Sequence, residues 1–109
     1  MKEIVLVYIT NPTQEEARSV ADHLLGNRLI ACANIYSGVN SLYPWQGKRA
    51  DETEVILIGK TLPELADCVE EEVKAIHSYT IPCVIRIQAA VNEDYFKWVT
   101  SEVAGRTGN

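Results

Sequence analysis

Two long β-type runs joined by a Pro/Gly turn constrain this chain more than any other feature. The first reads Leu29-Ile30-Ala31-Cys32-Ala33-Asn34-Ile35-Tyr36, passes Ser37-Gly38 and resumes as Val39-Asn40-Ser41-Leu42-Tyr43. The turn is Pro44-Trp45-Gln46-Gly47-Lys48, and the second arm is Glu52-Thr53-Glu54-Val55-Ile56-Leu57-Ile58-Gly59-Lys60. Runs rich in Val, Ile, Leu and Tyr on either side of such a turn form an antiparallel hairpin. An arm of roughly fifteen residues at about 3.3 Å per residue spans on the order of 50 Å. The helical stretches beside it hold about a dozen residues, or about 18 Å each. They cannot cover the hairpin, so some other surface must.

The rest of the chain supplies the elements around it. Ile4 to Ile9 is a continuous apolar run, as in a central strand covered on both faces. Thr13-x-x-Glu16 is a capping box opening a helix whose apolar stripe is Ala17, Val20, Ala21, Leu24 and Leu25; Gly26-Asn27 ends it with a residue tolerant of positive φ. After the hairpin, Thr61-x-x-Glu64 is a second capping box, with Leu62, Leu65, Ala66, Val69, Val73 and Ile76 as the stripe of the next helix. Pro82 stops that helix, and Cys83 to Ile87 is a fourth strand, with Gln88 to Val91 as a connection. Asn92 caps a last helix carrying Tyr95, Phe96, Trp98, Val99 and Val103, expected at the sheet edge or a subunit boundary; Ala104 to Asn109 is expected to fray. The order β-α-β-β-α-β plus a C-terminal helix predicts an α+β, ferredoxin-like fold with a long β2–β3 hairpin, in a single domain over 1–109. Its two helices cover one sheet face. Both registers of the first hairpin arm are apolar, so the other face predicts a tight, cyclically closed homo-oligomer.

Charge and cysteine usage exclude several classes. The net charge is -5 and the longest Lys/Arg run is Lys48-Arg49, which excludes a basic nucleic-acid-binding face. Three cysteines at wide spacing make no disulfide framework, and Ile4 to Ile9 is too short for a membrane span or signal peptide. Cytoplasmic residence with reduced thiols is the expectation.

No phosphate loop, C-x-x-C, H-x-x-x-H or G-x-S-x-G pattern is present. The chemistry-bearing residues stand singly. Cys32 sits mid-strand, as a small buried hydrophobe or as a ligand. Cys68 lies beside a stripe position and reads as packing, while Cys83 follows Pro82 and reads either way. His77 falls at the end of the second helix, either as an imidazolium facing the helix C-terminus or as a metal ligand or proton carrier. Tyr43, Trp45 and Tyr79 are amphipathic aromatics in or beside turns, where they mark a subunit contact. Glu54 lies within an apolar strand, at a solvated edge or paired, with Lys60 on the same strand face. Thiolate, imidazole and carboxylate together suit copper or zinc. An acid/base pair of His77 and Glu54 is the weaker, enzymatic reading, since no nucleophile with an activating base is legible.

Arg28 to Ile35, Ser41-x-Tyr43-x-Trp45-x-Gly47, Glu54-Val55-x-Leu57-x-x-Lys60-Thr61, His77-x-Tyr79-x-x-Pro82 and Tyr95-x-x-Trp98 occur in one order across nearly the whole chain. Together they resemble the CutA divalent-cation tolerance family. The resemblance implies a homotrimer, no enzymatic activity, no organic cofactor, and a role in tolerance to copper and other divalent metals. It implies a pocket between subunits built from Cys32, Tyr43, Trp45, Glu54, Lys60, His77 and Tyr79, with Cys32 and His77 as first-choice metal ligands. Cys83 stands where family members usually carry an acidic residue after the proline, replacing a hard oxygen donor by a soft thiol, and is added to the ligand set. Val91-Asn92 replaces the family's Gly-Asn. The alternative implied is a signalling or adaptor trimer whose cleft takes a small anionic ligand through Lys60, the metal being incidental.

Overall fold

The computed structural model describes residues 1–103, so the tail expected to fray lies outside the described residues. The elements are β1 (Lys2–Asn11), α1 (Gln14–Gly26), β2 (Cys32–Trp45), β3 (Lys48–Thr61), α2 (Ala66–Ile76), β4 (Val84–Val91) and α3 (Glu93–Glu102). The four strands form one antiparallel sheet in the order β2-β3-β1-β4, the ferredoxin-like arrangement.

The alternation of β1 sorts the packing. Val5, Val7 and Ile9 point to one face, where Val20, Ala21 and Leu24 of α1 and Val69 and Val73 of α2 complete a buried cluster. Ile4 and Leu6 point to the other, against Val99 and Val103 at the end of α3. The last helix therefore lies on the second sheet face, not at an edge. It covers only one end of that face. Tyr36, Ile85 and Ile87 share the remainder through the β2-β3-β1-β4 register and stay 54%, 47% and 43% exposed.

Each hairpin arm holds 14 residues. At about 3.3 Å per residue that is roughly 46 Å, and the longest dimension of the chain is 46 Å against 26 and 21 Å for the others. The turn is tighter than the sequence predicts. Trp45 pairs with Lys48, leaving Gln46 and Gly47, both at positive φ (53° and 78°), as a two-residue loop of the type that matches strand twist. Between the Tyr36–Ile56 and Val39–Glu54 pairs, Ser37 and Gly38 oppose Val55 alone. This bulge, with Gly38 at φ 76°, flips the parity of β2. Before it, Cys32, Asn34 and Tyr36 share a face with Lys60, Ile58 and Ile56; beyond it, Val39, Tyr43 and Trp45 share the face of Glu54.

Four local expectations change. Arg28, not Gly26 or Asn27, takes the positive φ (56°) after α1, as Arg28 N–H reaches Leu25 C=O at 3.0 Å and Leu29 N–H reaches Leu24 C=O at 2.9 Å. Its guanidinium then donates to the carbonyls of Ser101 and Glu102, so one arginine closes two helix ends. Thr61 caps nothing. It ends β3 buried, its hydroxyl donating to Leu29 C=O at 2.6 Å, and α2 begins at Ala66 after a 3-10 turn over Pro63–Leu65. Gln88 to Val91 extends β4 by pairing with Lys2 to Val5, and Asn92 opens α3 through its backbone, without a side-chain cap.

Candidate functional site

The hairpin tip and the α2–β4 loop enclose a cleft of about 620 Å³. Its walls include Thr10, Tyr43, Trp45, Glu54, Tyr79 and Cys83. Four of the seven residues expected in the pocket (Tyr43, Trp45, Glu54 and Tyr79), with Cys83 from the expected ligand set, thus converge within one chain. The parity change at Ser37-Gly38 is what brings Tyr43 and Trp45 onto the face of Glu54.

Glu54 sits where β1 ends, one position beyond the Asn11–Val55 pair, and is 6% exposed. Its Oε2 accepts the Tyr79 hydroxyl at 2.5 Å. No described Lys, Arg or His forms an ion pair with it. Burial, then the hydrogen bond to Glu54, then that carboxylate's charge push the Tyr79 phenol well above its ordinary 10.0. Burial first and Glu54 second push the Cys83 thiol up as well. At neutral pH both groups keep their protons.

The raised Tyr79 value makes stability fall at high pH. The unfolded phenol ionises near 10, while the folded one holds its proton until higher pH. This contribution is therefore complete below pH 10 and is lost as pH rises through the folded value. Phenolate absorbance is expected to show one of the five tyrosines titrating late, and Tyr79→Phe to abolish that late phase. Five tyrosines titrating together would contradict the Glu54–Tyr79 bond.

His77 stands behind this cleft as the residue that ends α2. Its side chain is 0% exposed. Nε2–H donates to Thr10 C=O at 2.8 Å, and Nδ1 accepts the Tyr79 N–H at 3.0 Å with Glu16 Oε2 3.6 Å away. Both nitrogens are committed, so ligating a metal through His77 requires breaking one of these bonds. The ring also lies 4.7 Å from that of Tyr79. Glu16, expected to close its capping box, has its own N–H bonded to Thr13 Oγ1 at 3.0 Å, but its carboxylate accepts the Ser78 N–H at 3.0 Å. It pins the loop instead of the helix start. The His77–Glu54 acid/base pairing does not form, because His77 bonds Thr10 C=O and Tyr79 N–H while Glu54 bonds the Tyr79 hydroxyl.

Cys32 and Lys60 are elsewhere. They pair across β2 and β3, six residues along β3 from Glu54, or about 20 Å. Lys60 Nζ lies 3.5 Å from the Tyr95 hydroxyl and 5.4 Å over its ring. Cys32, Cys68 and Cys83 are free thiols. Among the described residues no group of three His, Cys, Asp or Glu side chains is placed to hold a metal ion.

Residues 5–102 match the CutA1 divalent ion tolerance protein family. The chain belongs to that family. A divalent-cation tolerance protein CutA from Pyrococcus horikoshii is 42% identical over 100 residues, covering 91% of this chain and 97% of the relative. The crystal structure of CutA1 from Oryza sativa superposes with a TM-score of 0.90 at 35% identity, covering 94% of this chain and 95% of that one. A CutA structure from Archaeoglobus fulgidus, described as periplasmic, gives 0.88 at 38% identity over 91% and 97% of the two chains. The family is named for tolerance to divalent ions and not for a reaction. No described helix here is long and apolar enough to cross a membrane.

Proposed function

We propose that this CutA-family chain serves divalent-cation tolerance as a cytoplasmic homotrimer that binds copper or zinc at the boundary between copies, without catalysing a reaction. The observation that carries this reading is the uncovered apolar face bearing Tyr36, Ile85 and Ile87. Monomers seldom leave such a face in water. Closing it against a second copy gives a route for joining the Cys32–Lys60 pair of one chain to the Cys83 cleft of the next. Two thiols then supply the soft ligands that copper(I) and zinc prefer. His77 acts in this arrangement by holding Thr10 and Tyr79, since its ring is fully engaged. An acidic chain of net charge -5 is not expected to bind nucleic acid.

The anionic-ligand alternative gains no support from the cleft. Its charged wall residue is Glu54, and Lys60 is drawn to Tyr95. Anaerobic titration with copper(I) and with zinc tests the metal reading. Cys32→Ala and Cys83→Ala are each expected to weaken binding at least ~10-fold, because one thiol of a two-thiol site is lost. Affinity is expected to rise with pH, since the raised Cys83 thiol must release its proton to bind. Wild-type affinity in both variants would exclude the site.

A further inference from the structure

Glu16 is the third residue of α1, the place from which a capping-box carboxylate turns back to its own helix start. Here it turns outward. Its Oε2 accepts the Ser78 N–H at 3.0 Å and lies 3.6 Å from His77 Nδ1, so one oxygen meets both of the residues that follow α2. The helix behind it is a firm base. Ala17, the next residue, is 0% exposed, and Val20, Ala21 and Leu24 carry α1 into the core.

Ser78 and Tyr79 fall between the end of α2 and the start of β4, and both of their N–H groups are taken by side chains instead of by a helix or a sheet. The contacts run in series. Glu16 holds the Ser78 N–H, the neighbouring His77 ring holds the Tyr79 N–H, and the Tyr79 hydroxyl reaches Glu54. His77 is itself fastened to the end of β1 through Thr10 C=O. A carboxylate acceptor makes a backbone bond about twice as strong as a neutral acceptor does, which suits Glu16 to fix a segment outside regular structure.

We infer that Glu16 is a positioning residue for the α2–β4 loop: through Ser78 and His77 it sets the place of Tyr79 on Glu54, and so ties the first turn of α1 to the cleft. The consequence for metal rests on the proposed Cys32–Cys83 reading, because Cys83 follows on the same loop. The effect on Tyr79 does not.

Glu16→Ala and Glu16→Gln in the full chain test it by amide hydrogen exchange, with the buried stretch of α1 as internal reference. In Glu16→Ala the Ser78 and Tyr79 amides are expected to exchange at least ~10-fold faster than in the wild type, a change of the size that one lost local bond produces. The Val20 and Leu24 amides are expected to keep their protection. The late phenolate phase of Tyr79 is expected to move down toward the other tyrosines as its hydroxyl leaves Glu54. Glu16→Gln still offers an amide oxygen to the Ser78 N–H and is expected to recover most of both. Copper(I) titration is the separate arm. With Cys83 as a ligand, Glu16→Ala also weakens copper binding; wild-type copper affinity beside a released Tyr79 would uphold the role of Glu16 and count against the thiol site.

Faster exchange at Ser78 alone, with Tyr79 exchange and its late phase unchanged, would overturn the inference, since Glu16 would then hold one amide and position nothing. Equal acceleration of the α1 amides would overturn it by making the effect a loss of stability. So would a Glu16→Gln variant no better than Glu16→Ala.

Discussion

Ile85→Glu is expected to reduce a trimer of three 12.2 kDa chains to single chains in sedimentation. Ile85 lies on β4 opposite Tyr8, on the sheet face that α3 leaves open, with Ile87 two residues along. If three copies close that face, the new carboxylate is buried at each contact. The desolvation cost of an unpaired buried charge is several kcal/mol, repeated at every interface. Leu25→Glu is the control, because Leu25 is also exposed (40%) but projects from α1 on the helical side. It is expected to leave the mass unchanged. A single-chain mass for the wild type would remove the trimer, and an unchanged mass for Ile85→Glu would place the contacts elsewhere.

His77→Ala is expected to cost stability far more than it costs metal affinity. The substitution removes a fully buried ring, the donor to Thr10 C=O and the acceptor for Tyr79 N–H. A buried cavity and two backbone groups left without partners together cost about 2–4 kcal/mol. Urea denaturation reads that loss directly. Copper affinity measured below the unfolding transition is expected to change less than ~10-fold, because the proposed ligands are the Cys32 and Cys83 thiols. His77→Gln, which can reproduce one of the two bonds, is expected to recover part of the stability. A fall in copper affinity as large as that from Cys83→Ala would return His77 to the ligand set.

What the sequence made legible follows the range of the interactions involved. The Thr13 cap, the α1 and α2 stripes and the hairpin arms rest on neighbours within a few residues, and all were readable. The exceptions within the stripes are Leu25 and Ile76, which sit at the last turns of their helices and remain exposed. Thr61 and Glu16 show how a local motif is overruled. Each sits in a Thr-x-x-Glu pattern, yet Thr61 serves Leu29, 32 positions away, and the Glu16 carboxylate serves Ser78, 62 positions away.

The site was legible in part and for a different reason. No periodicity groups Tyr43, Trp45, Glu54 and Tyr79; the family resemblance did. The extra residue at Ser37-Gly38 decides which side of β2 faces Glu54, and a one-residue shift reverses every later side chain. Lys60 was expected in the pocket between subunits through the family resemblance. Within one chain, six residues of extended strand separate it from Glu54, and its ammonium lies over the Tyr95 ring.

Copper bound by mixed assemblies tests the shared site most directly. Cys32→Ala chains are bound to Cys83→Ala chains by co-expression, and the mixture is titrated with copper(I) without oxygen. Neither variant alone retains a complete thiol pair. In a cyclic trimer containing both, one boundary joins an intact Cys32 to an intact Cys83, so random mixing recovers about a quarter of the wild-type capacity. That recovery is the expected result. A mixture that binds no more copper than either variant alone would contradict a metal site built between copies.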